Sequence, residues 1–148
     1  MKPNVVTENL APCGLDCGRC VRFQEGAVAK AARSLVAGLE GYAKMAAKMA
    51  NMVPVLAGYP QFEAVLALMA AADCTGCRNG SANCLPLCAA KTCFREKRVD
   101  FCADCGEFPC ERNRYPEPLK QRWIENNRRI REIGAGAYYQ EQLQKPRY

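Results

Sequence analysis

Between residues 26 and 53 apolar side chains recur at three- and four-residue steps. Val28, Ala32, Leu35, Leu39, Tyr42, Ala46, Met49 and Val53 share one face, and Lys30, Arg33, Glu40, Lys44 and Lys48 share the other. That period predicts an amphipathic helix. Gly38 and Gly41 interrupt it, each costing about 1 kcal/mol relative to alanine inside a helix, so one bent helix or two consecutive helices is expected. Met45, Met49 and Met52 read as gap-filling core side chains. Pro54 and Gly58-Tyr59-Pro60 end the segment. From Phe62 to Ala72 the chain places Phe62, Val65, Met69 and Ala72 on one face, with Leu66 and Leu68 beside it and Glu63 as its charge. A helix so apolar is expected to be buried on most sides. After Tyr115-Pro116-Glu117-Pro118 the helical period returns to about Ile133, with Leu119, Trp123, Ile130 and Ile133 inward and Gly134 as C-terminal cap. A last short helix is expected from Ala137 to Gln144.

The remaining segments lack a period. Residues 1–12 read as irregular, with Pro3 and Pro12 as breakers. Residues 74–110 hold Gly76, Gly80, Pro86, Gly106 and Pro109 and read as a loop-rich module, with a short helix between Lys91 and Arg98. The expected fold is mainly α: one small helical domain, residues 1–148, with a loop-rich, zinc-knuckle-like metal-binding module. Its helical part covers about 26–72 and 117–144, and its cysteine module 13–20 plus 74–110. The 26–72 helices are expected to pack against the C-terminal ones, with the module lying on them.

Composition changes the picture at one residue type. The hydrophobic share of 49% and the charged share of 24% are ordinary for a soluble domain. Eleven cysteines and no histidine are not. The first ten residues have no uninterrupted apolar run, so no secretory signal is read there. The most apolar window, Phe62 to Ala72, falls short of the roughly 20 residues that span a bilayer. A cytoplasmic, thiol-reducing setting away from membranes is therefore expected, where closely spaced cysteines are metal ligands or catalytic thiols more often than disulfides. The odd cysteine count also argues against full disulfide pairing.

The net charge of +6 would suggest an acidic partner. A tetrathiolate zinc site carries a formal −2, however, and offsets part of it. Arg19, Arg22, Arg78, Lys91, Arg95 and Arg98 read as counter-charges to thiolates. No aromatic-basic interleaving accompanies the charge, which leaves nucleic acid as the weakest partner reading.

The cysteines stand in two clusters. Cys13, Cys17 and Cys20 lie in A-P-C-G-L-D-C-G-R-C; the rest run from Cys74 to Cys110 in C-T-G-C-R, C-L-P-L-C-A-A-K-T-C and C-A-D-C-G-E-F-P-C. Cys102-Ala-Asp-Cys105-Gly106 has the form of a metal knuckle, with Gly106 free to take the positive φ such a turn commonly needs. Cys74-Thr-Gly-Cys77 is a second pair at the same spacing, and the two pairs together have the order of a four-cysteine zinc ribbon. Cys88-x4-Cys93 and Cys105-x4-Cys110 offer competing partners, so the sharing of ions is left open. Cys13-x3-Cys17-x2-Cys20 has the spacing by which radical S-adenosylmethionine enzymes hold an iron–sulfur cluster, yet the chain lacks the length and strand–helix alternation of their barrel. Three ligands completed by a fourth from the downstream cluster is the plainer reading. Asp16, Asp104 and Glu107 read as charge-balancing or solvated carboxylates.

These motifs, with C-A-A-K-T-C-F-R-E-K-R-V-D-F-C-A-D-C-G-E-F-P-C, resemble an uncharacterised bacterial and archaeal family, domain of unknown function 3795. The resemblance covers the cysteine stretches and the terminal helix ending in I-R-E-I-G. It assigns the family's cysteines to Cys13, Cys17, Cys20, Cys74, Cys77, Cys88, Cys93, Cys102, Cys105 and Cys110, and leaves Cys84 as an extra thiol and bystander. It implies metal binding without an established activity.

The expected function is thus a cysteine-rich protein holding one or two structural zinc ions through those ten thiolates, acting as a binding module toward another protein. No catalytic constellation accompanies the thiols. An iron–sulfur or dithiol redox protein is the alternative, and a zinc-dependent nucleic-acid-binding protein the third reading.

Overall fold

A computed structural model describes residues 3–80, 82, 84–85 and 87–148. Its helices are α1 (Pro3–Asn9), α2 (Ala27–Gly38), α3 (Tyr42–Met49), α4 (Tyr59–Ala70), α5 (Cys93–Glu96) and α6 (Glu117–Leu143). Single 3-10 turns form at Pro54–Gly58, Cys77–Asn79, Ala89–Lys91 and Cys102–Asp104. Among the described residues the extended chain forms only two isolated bridges, Leu10 with Asp16 and Phe23 with Cys74. None of the helices is long and apolar enough to cross a membrane.

The expected helix break falls between Gly38 and Gly41. Gly41 takes φ +78°, which a side chain would resist, and starts α3 as a separate helix. Gly134 does the same inside α6: at φ 81°, ψ 152° it leaves the helical region and divides α6 into two segments. α4 begins earlier than the sequence suggested, because Pro60 sits in its first turn, where a missing N–H costs nothing. Residues 3–9 are helical as α1 rather than irregular.

Two packing units result. α2 packs on α4, and α3 on α4 and the Pro54–Gly58 turn, forming a helical hairpin. α6 packs instead against α1 and the Cys102–Asp104 turn. The expected packing of the 26–72 helices on the C-terminal helix is therefore not the main contact. The hairpin buries small residues, Ala29, Ala32 and Ala46, with Tyr59 and Leu66. α4 is not enclosed: Val65 and Leu68 are 52% and 65% exposed. The methionines are not core either, Met45 being 54% and Met52 78% exposed. An all-round apolar helix that packs on one side only must turn the rest outward.

The larger buried side chains gather around α6. Val6, Leu10, Phe101, Ala103, Ile130, Tyr138 and Tyr139 form one cluster. Ala11, Cys13, Cys77, Ala90, Cys102, Phe108 and Trp123 form the other, so the second core is made partly of thiols.

Candidate metal centre

α6 holds both halves of the cysteine frame. Asn127, fully buried, donates through Nδ2 to the Cys13 carbonyl (2.9 Å) and the Trp123 carbonyl (2.9 Å), and its Oδ1 accepts from the Ala103 N–H (2.8 Å). One side chain thus bridges the Cys13 loop and the Cys102–Cys105 turn. Tyr138 Oη donates to the Gly14 carbonyl (3.0 Å). Arg131 donates to the carbonyls of Ala103 and Cys105, and its guanidinium lies over the Phe108 ring. The Cys102 N–H reaches the Pro12 carbonyl (2.7 Å). Gly14 is required at this junction: φ is +80°, and a Cβ would come within 3.1 Å of Ile130 Cδ1.

The Cys74 strand segment is tied to the N-terminal loop by Cys74 N–H to Arg22 O (3.1 Å) and Gln24 N–H to Cys74 O (2.9 Å). Gly76, at φ +87°, turns the chain between Cys74 and Cys77. Gly106 does not take a positive φ, so the knuckle at Cys102–Cys105 is not built the way the sequence implied.

The eleven cysteines are free thiols, and most of them divide between two cavities. Cys93, Cys102, Cys105 and Cys110 line the smaller, about 20 Å³, together with Phe108 and Trp123. Cys13, Cys17, Cys74, Cys77, Cys84 and Cys88 line the larger, about 40 Å³, together with Tyr115. Cys20 is half-buried beside Cys17. Among the described residues no three cysteine or carboxylate side chains are placed so that they could hold a metal ion together. Cys74 and Cys77 line one cavity, Cys102 and Cys105 the other. Cys88 and Cys93 are likewise split, whereas Cys105 and Cys110 stay together. Cys84, expected to be a bystander, lines the larger cavity.

Three aromatic rings line the two cavities, Phe108 and Trp123 the smaller and Tyr115 the larger. Trp123 packs edge-on against Phe108 (4.9 Å between centroids) and Tyr115 (5.7 Å). The Tyr115 hydroxyl lies 3.0 Å from Cys88 Sγ. Trp123 Nε1 is buried and has no hydrogen-bond partner among the described residues. It lies at Cys102, where it favours the ionised sulfur.

Burial dominates the acidity of these thiols. It pushes Cys17 up to about 12 and Cys102 up to about 12, Cys77 up to about 11, Cys93 upward, and Cys13 well above its usual value. Neighbouring sulfurs add to the effect; Lys91 beside Cys77 and Arg112 beside Cys93 oppose it. Without a cation such thiols are neutral at pH 7 and poor nucleophiles. A divalent metal would displace their protons.

Thiolates are donors of the kind that hold zinc. Four sulfurs around one small cavity match the ligand count of a closed tetrahedral site. A Cys102 thiolate would be a stronger acceptor for the buried Trp123 N–H than the neutral thiol.

Three of the six expected counter-charges are engaged elsewhere. Arg19 pairs with Asp16 and donates to the carbonyls of Gln142 and Lys145. Arg22 pairs with Asp73, and Arg78 donates to Thr7 and Asp100 carbonyls while stacking on Phe94 and Phe101. The carboxylates are structural too. Asp16 is buried and caps the Arg19 N–H, Asp104 accepts from the Phe101 N–H, and Glu107 pairs with Lys97.

Four further positioning residues carried no motif: Asn127, Tyr138, Tyr115 and Asn113, whose Oδ1 accepts from Ala90 N–H (2.8 Å). For Asn127 a signal existed. It lies on the same stripe as Trp123 and Ile130, a polar residue where the helical period demands an apolar one.

A family model described as a protein of unknown function (DUF3795) matches residues 9–115. No curated protein and no solved structure matches the chain.

Proposed function

The chain belongs to the DUF3795 family, and from that premise we propose that it is a metal-binding protein that holds structural zinc through cysteine thiolates. It acts as a binding module rather than as an enzyme, in a reducing, cytoplasmic setting. The observation that carries this reading is that Cys93, Cys102, Cys105 and Cys110 line one cavity, with the buried Trp123 N–H at Cys102. Those four cysteines would hold one ion; bound there, zinc would supply charge neutralisation and a cross-link, not a reactive site. Trp123 would donate to a sulfur, and Asn127 and Arg131 would fix the backbone that carries the ligands.

The raised thiol acidity constants weigh against dithiol exchange, which needs an accessible thiolate. Burial pushes Cys17, Cys77 and Cys102 up to about 12, about 11 and about 12, which disfavours their thiolates.

Metal analysis with an absorption spectrum on anaerobically purified protein tests the reading. Stoichiometric zinc and no visible absorption are expected. A brown protein absorbing near roughly 400 nm with acid-labile sulfide would replace zinc by an iron–sulfur cluster. Folded protein without stoichiometric metal would end the reading.

A further inference from the structure

Resting on the binding-module reading above, we propose that α3 and the Pro54–Gly58 turn form its docking surface, and that the partner presents an acidic amphipathic helix of another protein. Among the described residues thirteen large apolar side chains stand exposed, and nine of them, from Leu35 to Leu68, belong to the α2–α4 hairpin. Apolar surface gathered in one region, rather than scattered singly, marks an interaction site. Met45, Met52, Val53 and Val55 are its densest part, and the last three fall in the unbroken apolar run Met52-Val53-Pro54-Val55-Leu56-Ala57. A run of that kind on a surface turn contributes nothing to the chain's own core.

Charge selects the partner. From Gly41 to Phe62 the chain has two lysines and no acid. On α3, Lys44, Met45 and Lys48 are exposed, on the side away from the buried Ala46. The hairpin's other cations are engaged: Lys30 pairs with Glu25 (3.3 Å), and Arg33 donates to the carbonyls of Ala70 and Gln24. Lys44 and Lys48 have no ion pair or hydrogen bond among the described residues. One helical turn apart, they match carboxylates one turn apart on a facing helix. Met45, Met52 and Val55 would take its apolar side chains, and methionine's unbranched chain moulds to such a face. Tyr59 packs against both Tyr42 (5.2 Å between centroids) and Phe62 (5.8 Å), which fixes α4 to α3. The surface is therefore formed before a partner arrives, which lowers the cost of binding.

The same features disfavour two other occupants. A second copy across a two-fold axis would set Lys44 and Lys48 against their own counterparts, with no acid from Gly41 to Phe62 to separate them. A lipid surface is typically held by clusters of about four to eight bases, and two lysines fall short of that.

Selection from a displayed library of amphipathic helical peptides, with the charges of the polar face randomised, tests the proposal on the full chain as purified. Enriched peptides are expected to be acidic, and raising salt from about 0.1 M to about 1 M should weaken them about tenfold. Lys44→Glu with Lys48→Glu should turn the enriched pool basic. Met52→Ser with Val55→Ser should weaken the acidic peptides about tenfold, and Leu143→Ser, exposed but off the hairpin, should leave them unchanged. No enrichment, a pool without acidic bias, or binding indifferent to these four hairpin residues overturns the proposal. Dimerisation that Val55→Ser abolishes, or sedimentation with phosphatidylserine vesicles, would give the face to a second copy or to lipid and overturns it equally. Zinc content read on the same samples separates the two failures. A failed selection with zinc retained strikes the docking surface alone, and folded protein without zinc strikes the metal reading alone.

Discussion

The helical hairpin of α2–α4 and the cysteine frame on α6 use their side chains in opposite ways. The hairpin has the clean amphipathic period, yet it buries mainly alanines and leaves Met52, Val55 and Leu68 at 78%, 80% and 65% exposure. The frame has no period for most of its length, yet it encloses Trp123, Tyr138 and Asn127 almost completely. A period states which residues share a face. Whether that face is covered depends on a second element, and the hairpin has only itself. The frame is covered because polar side chains of α6 reach out and pin the loops, and because its thiols are packed as core.

The largest effect expected from this contrast is the response of the metal-free protein to alkali. Burial raises Cys17, Cys77 and Cys102 from 9.0 to about 12, about 11 and about 12 in the folded chain. Above pH 9 the unfolded state loses these protons first, so the folded state binds more of them and its stability falls as pH rises. Thermal melts of zinc-free protein should therefore drop steeply between pH 9 and 11. Zinc-loaded protein, whose thiols are already ionised, should not follow, and equal behaviour of the two forms would break the contrast.

Trp123→Ala should cost about 3–5 kcal/mol in urea unfolding, as expected for a large aromatic truncated in a packed core. A loss near the surface average would mean that the frame is not the core. Asn127→Ala should cost about 2–3 kcal/mol, since it strands the Cys13 carbonyl and the Ala103 N–H in a buried place. Trp123→Phe is finer. It removes the indole N–H and should cost about 1 kcal/mol in the zinc-loaded protein and less in the metal-free one. An equal cost in both forms would detach the N–H from any thiolate. At the small end, Leu68→Ser on the hairpin should stay within about 0.5 kcal/mol, because the side chain is already exposed.

Helix positions were largely legible, because period, Gly41, Gly134 and the prolines act locally. The helical character of residues 3–9 was not, since a proline at the start of a helix reads as a breaker. Covering was not legible either: nothing in Val65 or Leu68 says whether another element arrives. The cysteine motifs pointed to thiol chemistry, but spacing offered Cys74–Cys77 with Cys102–Cys105 as one of several competing pairings. The chain instead turns at Gly14 and Gly76 to bring Cys74 and Cys77 beside Cys13 and Cys17. Long-range backbone hydrogen bonds between Cys74 and the chain at Arg22 and Gln24 tie that segment to the N-terminal loop, and they leave no local trace in the sequence.

Hydrogen exchange of the purified protein before and after chelation tests the central claim most directly. If thiolate-bound metal holds the frame, chelation should release zinc and strip protection from residues 13–20 and 88–110, while α2–α4 exchanges as before. Unchanged exchange across those two stretches, with no zinc released, would contradict it.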